Sequence, residues 1–155
     1  MKITFICVGP IRKPCIKEGF AEYLKRIRRH LGAEVVEVKE GPYSGKAGAL
    51  SLKREGERII KRLKRDDYAV VLGERGKNFT SENFSLFIKG QMDAGRKNLC
   101  FVVGGPFGLH PSVVERADAV ISLSPMTLPH ELATLVLAEQ VYRALTIIKG
   151  EPYSH

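Results

Sequence analysis

The chain has 155 residues, 44% of them apolar and 27% charged, with a formal net charge of +8. That length suits one domain with a real core, and that composition excludes a disordered chain. The three cysteines, Cys7, Cys15 and Cys100, are odd in number and widely spaced, which excludes a disulfide framework or paired metal site and fits a reducing cytoplasm.

The opening run MKITFICVGP has no cleavage-like segment and reads as a strand over Lys2–Val8 rather than a signal peptide. Ile16, Phe20, Leu24, Ile27 and Leu31 then recur at helical spacing, with Lys17, Lys25, Arg28 and Arg29 off that face. A second strand is predicted at Glu34–Lys39, and GPYSGKAG (Gly41 to Gly48) reads as a loop. Leu52, Ile59, Ile60 and Leu63 mark a second helix, with Glu57 and Lys61 spaced to pair along it.

A third strand follows at Tyr68–Leu72, and Thr80-Ser81-Glu82 opens a third helix with an N-cap and an acid in its first turn. Next come a strand at Leu99–Val103, a short helix starting at Pro111, and a strand at Ala119–Leu123. The last helix, Leu132 to Ile148, is apolar nearly all round, with Glu139, Arg143 and Thr146 as a narrow polar stripe. It needs cover on two sides, from the sheet and from something else; a second copy of the chain is the economical cover. The alternation predicts an α/β domain with a mostly parallel sheet flanked by helices. No segment has the length of a membrane span.

Charge is uneven. Residues 1–77 carry 19 Lys+Arg against 10 Asp+Glu, and residues 78–155 carry 6 against 7. The excess gathers in KRIRRH (Lys25 to His30) and KRLKR (Lys61 to Arg65). Two readings fit: solvated helix faces, or a surface that attracts nucleic acid through its field and counterion release.

In parallel sheets ligands bind beyond the carboxyl ends of the strands. GERGK (Gly73 to Lys77), GGPFGLH (Gly104 to His110) and SPMTLPHE (Ser124 to Glu131) leave those ends. GGPFG lacks the dinucleotide spacing G-x-G-x-x-G, and no Walker motif exists. It fits either a tight turn with a glycine at positive φ or a backbone that approaches a ligand. His30, His110, His130 and His155 share no metal-ligand spacing, and Cys100 sits in an apolar strand as a core residue. The loop of Leu123, Ser124, Pro125, Met126, Thr127 and Leu128 joins stiff prolines to apolar walls and available main-chain groups. Such a cradle suits the planar base of a neutral or cationic cofactor better than a pyrophosphate.

The motifs VVGGPFGL, LSPMTLPHELATLVLAEQVYRA and KGEPYSH, in that order, closely resemble the SPOUT-class ribosomal large-subunit pseudouridine methyltransferases, the RlmH family, and the likeness runs the full length. The resemblance implies a SPOUT-like α/β fold with a C-terminal trefoil knot, S-adenosylmethionine as cofactor, and a homodimer. It implies methyl transfer to N3 of a pseudouridine in 23S rRNA on the assembled ribosome, with neither metal nor membrane involved. Carried onto this chain, Leu72, Gly104 and Leu123 to Leu128 would hold the methyl donor, and Gly105 would let the chain pass close by. Tyr153 and His155 would lie near the transferred methyl, completing the target pocket across the dimer.

Two positions depart from the family pattern L-D-E-R-G-K and the tail P-Y-H: Gly73 replaces the acid, and Ser154 displaces the final histidine by one. Tyr153, His155 and Glu131 are all candidates to take the N3 proton, while His130 and Glu131 also suit the start of the last helix. The alternative function is a non-catalytic RNA- or ribosome-binding module; the missing dinucleotide fingerprint argues against an oxidoreductase.

Overall fold

The computed structural model describes residues 1–42 and 47–152. Strand and helix alternate throughout: β1 (Lys2–Val8), α1 (Pro14–Ile27), β2 (Gly32–Val38), α2 (Ala47–Arg62), β3 (Tyr68–Asn78), α3 (Ser81–Asp93), β4 (Asn98–Val103), α4 (Pro111–Arg116), β5 (Ala119–Ser122) and α5 (His130–Lys149). The sheet is parallel, in the order β2-β1-β4-β3-β5. The expected strands are all present. β3 is longer than expected, because after a register break Lys77 and Asn78 pair with Ile121 and Ser122 of β5.

Local chemistry starts and stops the helices as the sequence suggests. Pro14 and Pro111 lie in the first turns of α1 and α4, where a missing N–H costs nothing. Thr80 Oγ1 accepts the Asn83 N–H at 3.2 Å and caps α3. Gly150, at φ +68°, ends α5 in the left-handed conformation. The Glu57–Lys61 pair is not among the ion pairs of the described residues.

Alternate strand residues point to opposite faces, which gives two cores. Ile3, Phe5, Leu99 and Phe101 meet α1, α3 and α5 on one face. Ile6, Val71 and Val102 meet Ile59 of α2 and Val113 of α4 on the other. Phe5 anchors the larger core, edge-on to Phe20 at 5.7 Å and stacked on Phe101 at 6.0 Å.

α5 packs against both α1 and α3. Much of the cover that its apolar sequence called for therefore comes from its own chain. A half-buried stripe of Leu132, Val136, Glu139 and Arg143 remains, with Ile147 exposed beyond it. Each helix joins two parallel strands and must run back against them. All helices thus start at the carboxyl edge of the sheet and return to the amino edge, and α5, starting at the same edge, does likewise.

Candidate active site

The expected loop at Gly73 to Lys77 is part of β3, and this stretch, with the loops after β4 and β5, surrounds a cleft of about 1060 Å³. Its floor is Val71 and Leu72 of β3, Val103 of β4 and Val120 to Ser122 of β5. Of the residues expected to hold a cofactor, Leu72, Gly104, Leu123 and Ser124 line it, as do Met126, Thr127 and Leu128. Pro125 is exposed and off the lining. Tyr153 and His155, together with residues 43–46 of the glycine-rich loop, lie outside the described residues.

The loop after β5 is held by short-range hydrogen bonds. Ser122 Oγ donates to the Ser124 carbonyl at 2.9 Å, and Ser124 Oγ accepts the Met126 N–H at 2.9 Å. Thr127 Oγ1 donates to Glu74 Oε1 at 3.0 Å, which ties this loop to β3. Pro129 then starts α5, its carbonyl accepting the Ala133 N–H at 2.9 Å. The main-chain N–H and C=O groups of Thr127 and Leu128 make no hydrogen bond among the described residues. Thr127 and Leu128 line the cleft beside apolar side chains.

Two glycines are set by close packing. A Cβ on Gly76 would lie 2.3 Å from the Ile121 carbonyl carbon, so β3 and β5 touch through their backbones at the register break. A Cβ on Gly104 would lie 2.6 Å from the Gly108 oxygen and 2.9 Å from Leu109 Cγ. Of Gly104, Gly105 and Gly108, only Gly108 has positive φ, at +79°. It closes a tight turn in which the Gly105 carbonyl accepts the Gly108 N–H at 3.0 Å. The turn is tight, as the first reading of GGPFG has it, and Gly104 and Gly105 line the cleft.

Glu131 is engaged elsewhere. Its Oε2 accepts the main-chain N–H groups of Arg12 and Lys13, at 3.2 and 3.1 Å, ahead of α1. His130 is the first residue of α5 and lines the cleft. Burial pushes the Cys7 and Cys100 thiols up to about 12, so neither is a nucleophile near neutral pH. Among the described residues no three His, Cys, Asp or Glu side chains gather as a metal site, and no helix is long and apolar enough to cross a membrane.

The basic clusters lie at the other edge. Lys25 lies in the last turn of α1 with Arg28 and Arg29 just beyond it, and Lys61 and Arg62 end α2 with Lys64 and Arg65 just beyond it, all of them exposed. The chain end starts nearby: Glu151 Oε2 is 3.8 Å from Nε2 of His30, whose ring packs against Tyr142. Single-residue reading missed Glu74, Phe107 and Ala133 as cleft lining, although the first two stand inside loops the sequence singles out.

This open parallel sheet, with its apolar cleft at the ends of β3, β4 and β5, belongs to a methyltransferase class: the chain is a member of the SPOUT methyltransferase family. The family model described as "Predicted SPOUT methyltransferase" matches residues 1–155. The chain is 42% identical over 157 residues to the ribosomal RNA large subunit methyltransferase H of Carboxydothermus hydrogenoformans, covering 99% of both chains. It is 43% identical, again over 99% of both, to the protein of that name in Limosilactobacillus reuteri (strain DSM 20016). A crystal structure of a probable methyltransferase from Bordetella pertussis Tohama I shares the fold, with a TM-score of 0.59 at 15% identity over 92% of this chain and 95% of that one. The chain is accordingly an enzyme that takes a methyl group from a donor.

Proposed function

We propose that the donor is S-adenosylmethionine and that the acceptor is N3 of a pseudouridine in 23S rRNA on the assembled ribosome. The enzyme works in the cytoplasm as a homodimer, each chain a single SPOUT domain with a C-terminal knot. The cradle at Thr127 and Leu128 carries this reading: unpaired main-chain donors and acceptors beside apolar walls fit an adenine edge and face. The relatives named for ribosomal RNA methylation support the acceptor.

The bound donor supplies an electrophilic methyl on a sulfonium. Leu72, Leu123 and Leu128 exclude water around it, and Glu74 brings a carboxylate to the same wall while holding Thr127. In-line transfer needs alignment more than acid–base strength. The N3 proton must still leave, and Tyr153 and His155 are the groups proposed to receive it. Glu131 is not, because its carboxylate already serves two N–H groups at α1.

The tail acts on the partner's cleft. α5 has 20 residues and spans about 30 Å, from His130 on the cleft to Lys149 at the opposite edge. From Glu151 to His155 the chain reaches about 14 Å at most. The tail therefore falls short of its own cleft, and a second chain must present one. The half-buried stripe of Leu132, Val136 and Arg143 offers a surface for that chain.

Two tests follow. Calorimetric titration should give saturable S-adenosylmethionine binding and none with NAD; a folded dimer that binds neither leaves only a ribosome-binding module. Thr127→Arg, which blocks a cleft, and a chain lacking residues 153–155 should each fail alone to methylate unmodified ribosomes. Co-refolded, they should regain about a quarter of wild-type sites, since half the dimers pair a good cleft with a good tail. No regain would overturn completion across the dimer.

A further inference from the structure

Two cations at the carboxyl edge stand apart from the apolar walls of the cleft. Leu72 and Lys77 both pair with Ile121, so residues 73–76 of β3 fall in a register break against β5. Breaks of this kind recur beside active sites, where they re-aim a side chain. This one is held at two points: Glu74 Oε1 accepts the Thr127 hydroxyl at 3.0 Å, and Gly76 lies against the Ile121 backbone with no room for a Cβ. Arg75 sits between those points, exposed, on the lining of the cleft.

The loop after β1 is braced in a similar way. Glu131, in the first turn of α5 and next to His130 on the cleft lining, accepts the main-chain N–H groups of Arg12 and Lys13. The Arg12 guanidinium pairs with Glu40, whereas the Lys13 side chain is exposed. Among the described residues, neither Lys13 nor Arg75 enters an ion pair. Glu131 and Glu74 thus fix the segments that carry these two cations without neutralising them. An exposed cation alone is usually a solvated group. Here β1 and β3 lie on the two sides of β4, and the sheet spaces their carboxyl ends roughly 10 Å apart, two strand spacings.

We propose that Lys13 and Arg75 grip the RNA strand at the mouth of the cleft, each meeting a phosphate of the segment that carries the target nucleotide. This surface rests on the proposed acceptor and states how that acceptor is presented. A base taken out of its stack turns about its own backbone, so the flanking phosphates must be held while the base enters. Phosphate contacts fix register and orientation and read no sequence. The amino edge attracts the polyanion from a distance; Lys13 and Arg75 place it. Loss of one such contact lowers affinity roughly fivefold at about 0.15 M salt and flattens the salt slope by about 0.7 to 0.9.

The test is ribosome binding as a function of salt, together with methyl transfer to unmodified ribosomes. It uses the full chain, Lys13→Ala, Arg75→Ala, their double variant, Lys13→Arg and Arg75→Lys, with donor titration and melting temperature for each. Each alanine variant should bind ribosomes roughly fivefold more weakly and lose about as much in kcat/KM, through KM; the double variant should lose roughly 25-fold. Lys13→Arg and Arg75→Lys keep the charge and should retain most of both. Donor affinity and melting temperature should not move. Alanine variants with the wild-type salt slope and KM would mark two solvated groups and overturn the proposal. A weaker donor affinity in Arg75→Ala would place that guanidinium on the donor and overturn its assignment to RNA. A wild-type chain that binds donor but methylates no ribosome removes the proposed reaction. The binding slopes then decide by themselves whether these two cations meet RNA, and unchanged slopes overturn it.

Discussion

At the carboxyl edge of the sheet the cleft is walled by Leu72, Val103, Leu123 and Leu128, with Glu74 and Arg75 as its charged side chains. At the amino edge, Lys25, Arg28, Arg29, Lys61, Arg62, Lys64 and Arg65 crowd the ends of α1 and α2. One edge excludes water and presents short-range hydrogen bonds. The other projects a field over about one Debye length, near 8 Å at physiological salt. About 30 Å of α5 lies between them. If the cleft holds the methyl donor and the basic edge meets rRNA, as proposed, the two tasks are separate and each can be altered without the other.

The largest expected effect comes from the tail, proposed above to receive the N3 proton. Removal of residues 153–155 should lower methyl transfer by about 100-fold or more, as removal of an acid–base group does, with donor affinity unchanged in calorimetry. The basic edge comes next. Arg29→Ala with Arg62→Ala should weaken ribosome binding about 10-fold at low salt and flatten its salt dependence by about one unit for each phosphate no longer neutralised. Donor titration should not move; if it does, the two edges are not independent.

A smaller effect is expected at the carboxyl edge. Thr127→Val removes the hydrogen bond to Glu74 while keeping the side-chain shape, and should raise the donor Kd about fivefold, the worth of one hydrogen bond. The smallest effect is on stability at the amino edge. Despite the desolvation of its burial, Asp67 is held below the usual carboxylate range by hydrogen bonds from the Lys64 N–H and the Asn98 amide, both at 2.8 Å. A depressed folded pKa stabilises the fold above the unfolded value of about 3.9 and loses that contribution as pH falls through the folded value. Acid titration followed by circular dichroism should therefore find Asp67→Asn less sensitive than wild type below about pH 4.

Much of this was legible in the sequence because local rules decide it. Pro14, Thr80 and Pro111 mark helix starts through their own backbone chemistry, and Ile16, Phe20 and Ile27 announce the buried face of α1 by spacing alone. The loop after β5 was legible for a similar reason, since Pro125 and Pro129 stiffen a segment whose position after a strand is fixed by the alternation. What was not legible is non-local. The order β2-β1-β4-β3-β5 depends on pairings across the whole chain, so the sequence did not tell that α5 would pack against both α1 and α3. Lys77 and Asn78 looked like a loop because their strand partner, β5, lies over 40 residues later. The Glu74–Thr127 bond and the two N–H groups held by Glu131 likewise join residues that no periodicity connects.

The close approach of Gly76 to the Ile121 backbone has a consequence for the order in which the molecule is made. The break in β3 is shaped against β5, and every wall of the cleft comes from β3 onward. During synthesis β1 and β2 can pair early, while β3 must wait for β4 to cover one edge and for β5 to cover the other. The cleft is thus the last part of the sheet to close. A nascent chain stalled before residue 119 would carry its whole basic edge and no cleft, able to meet RNA but with nothing to transfer.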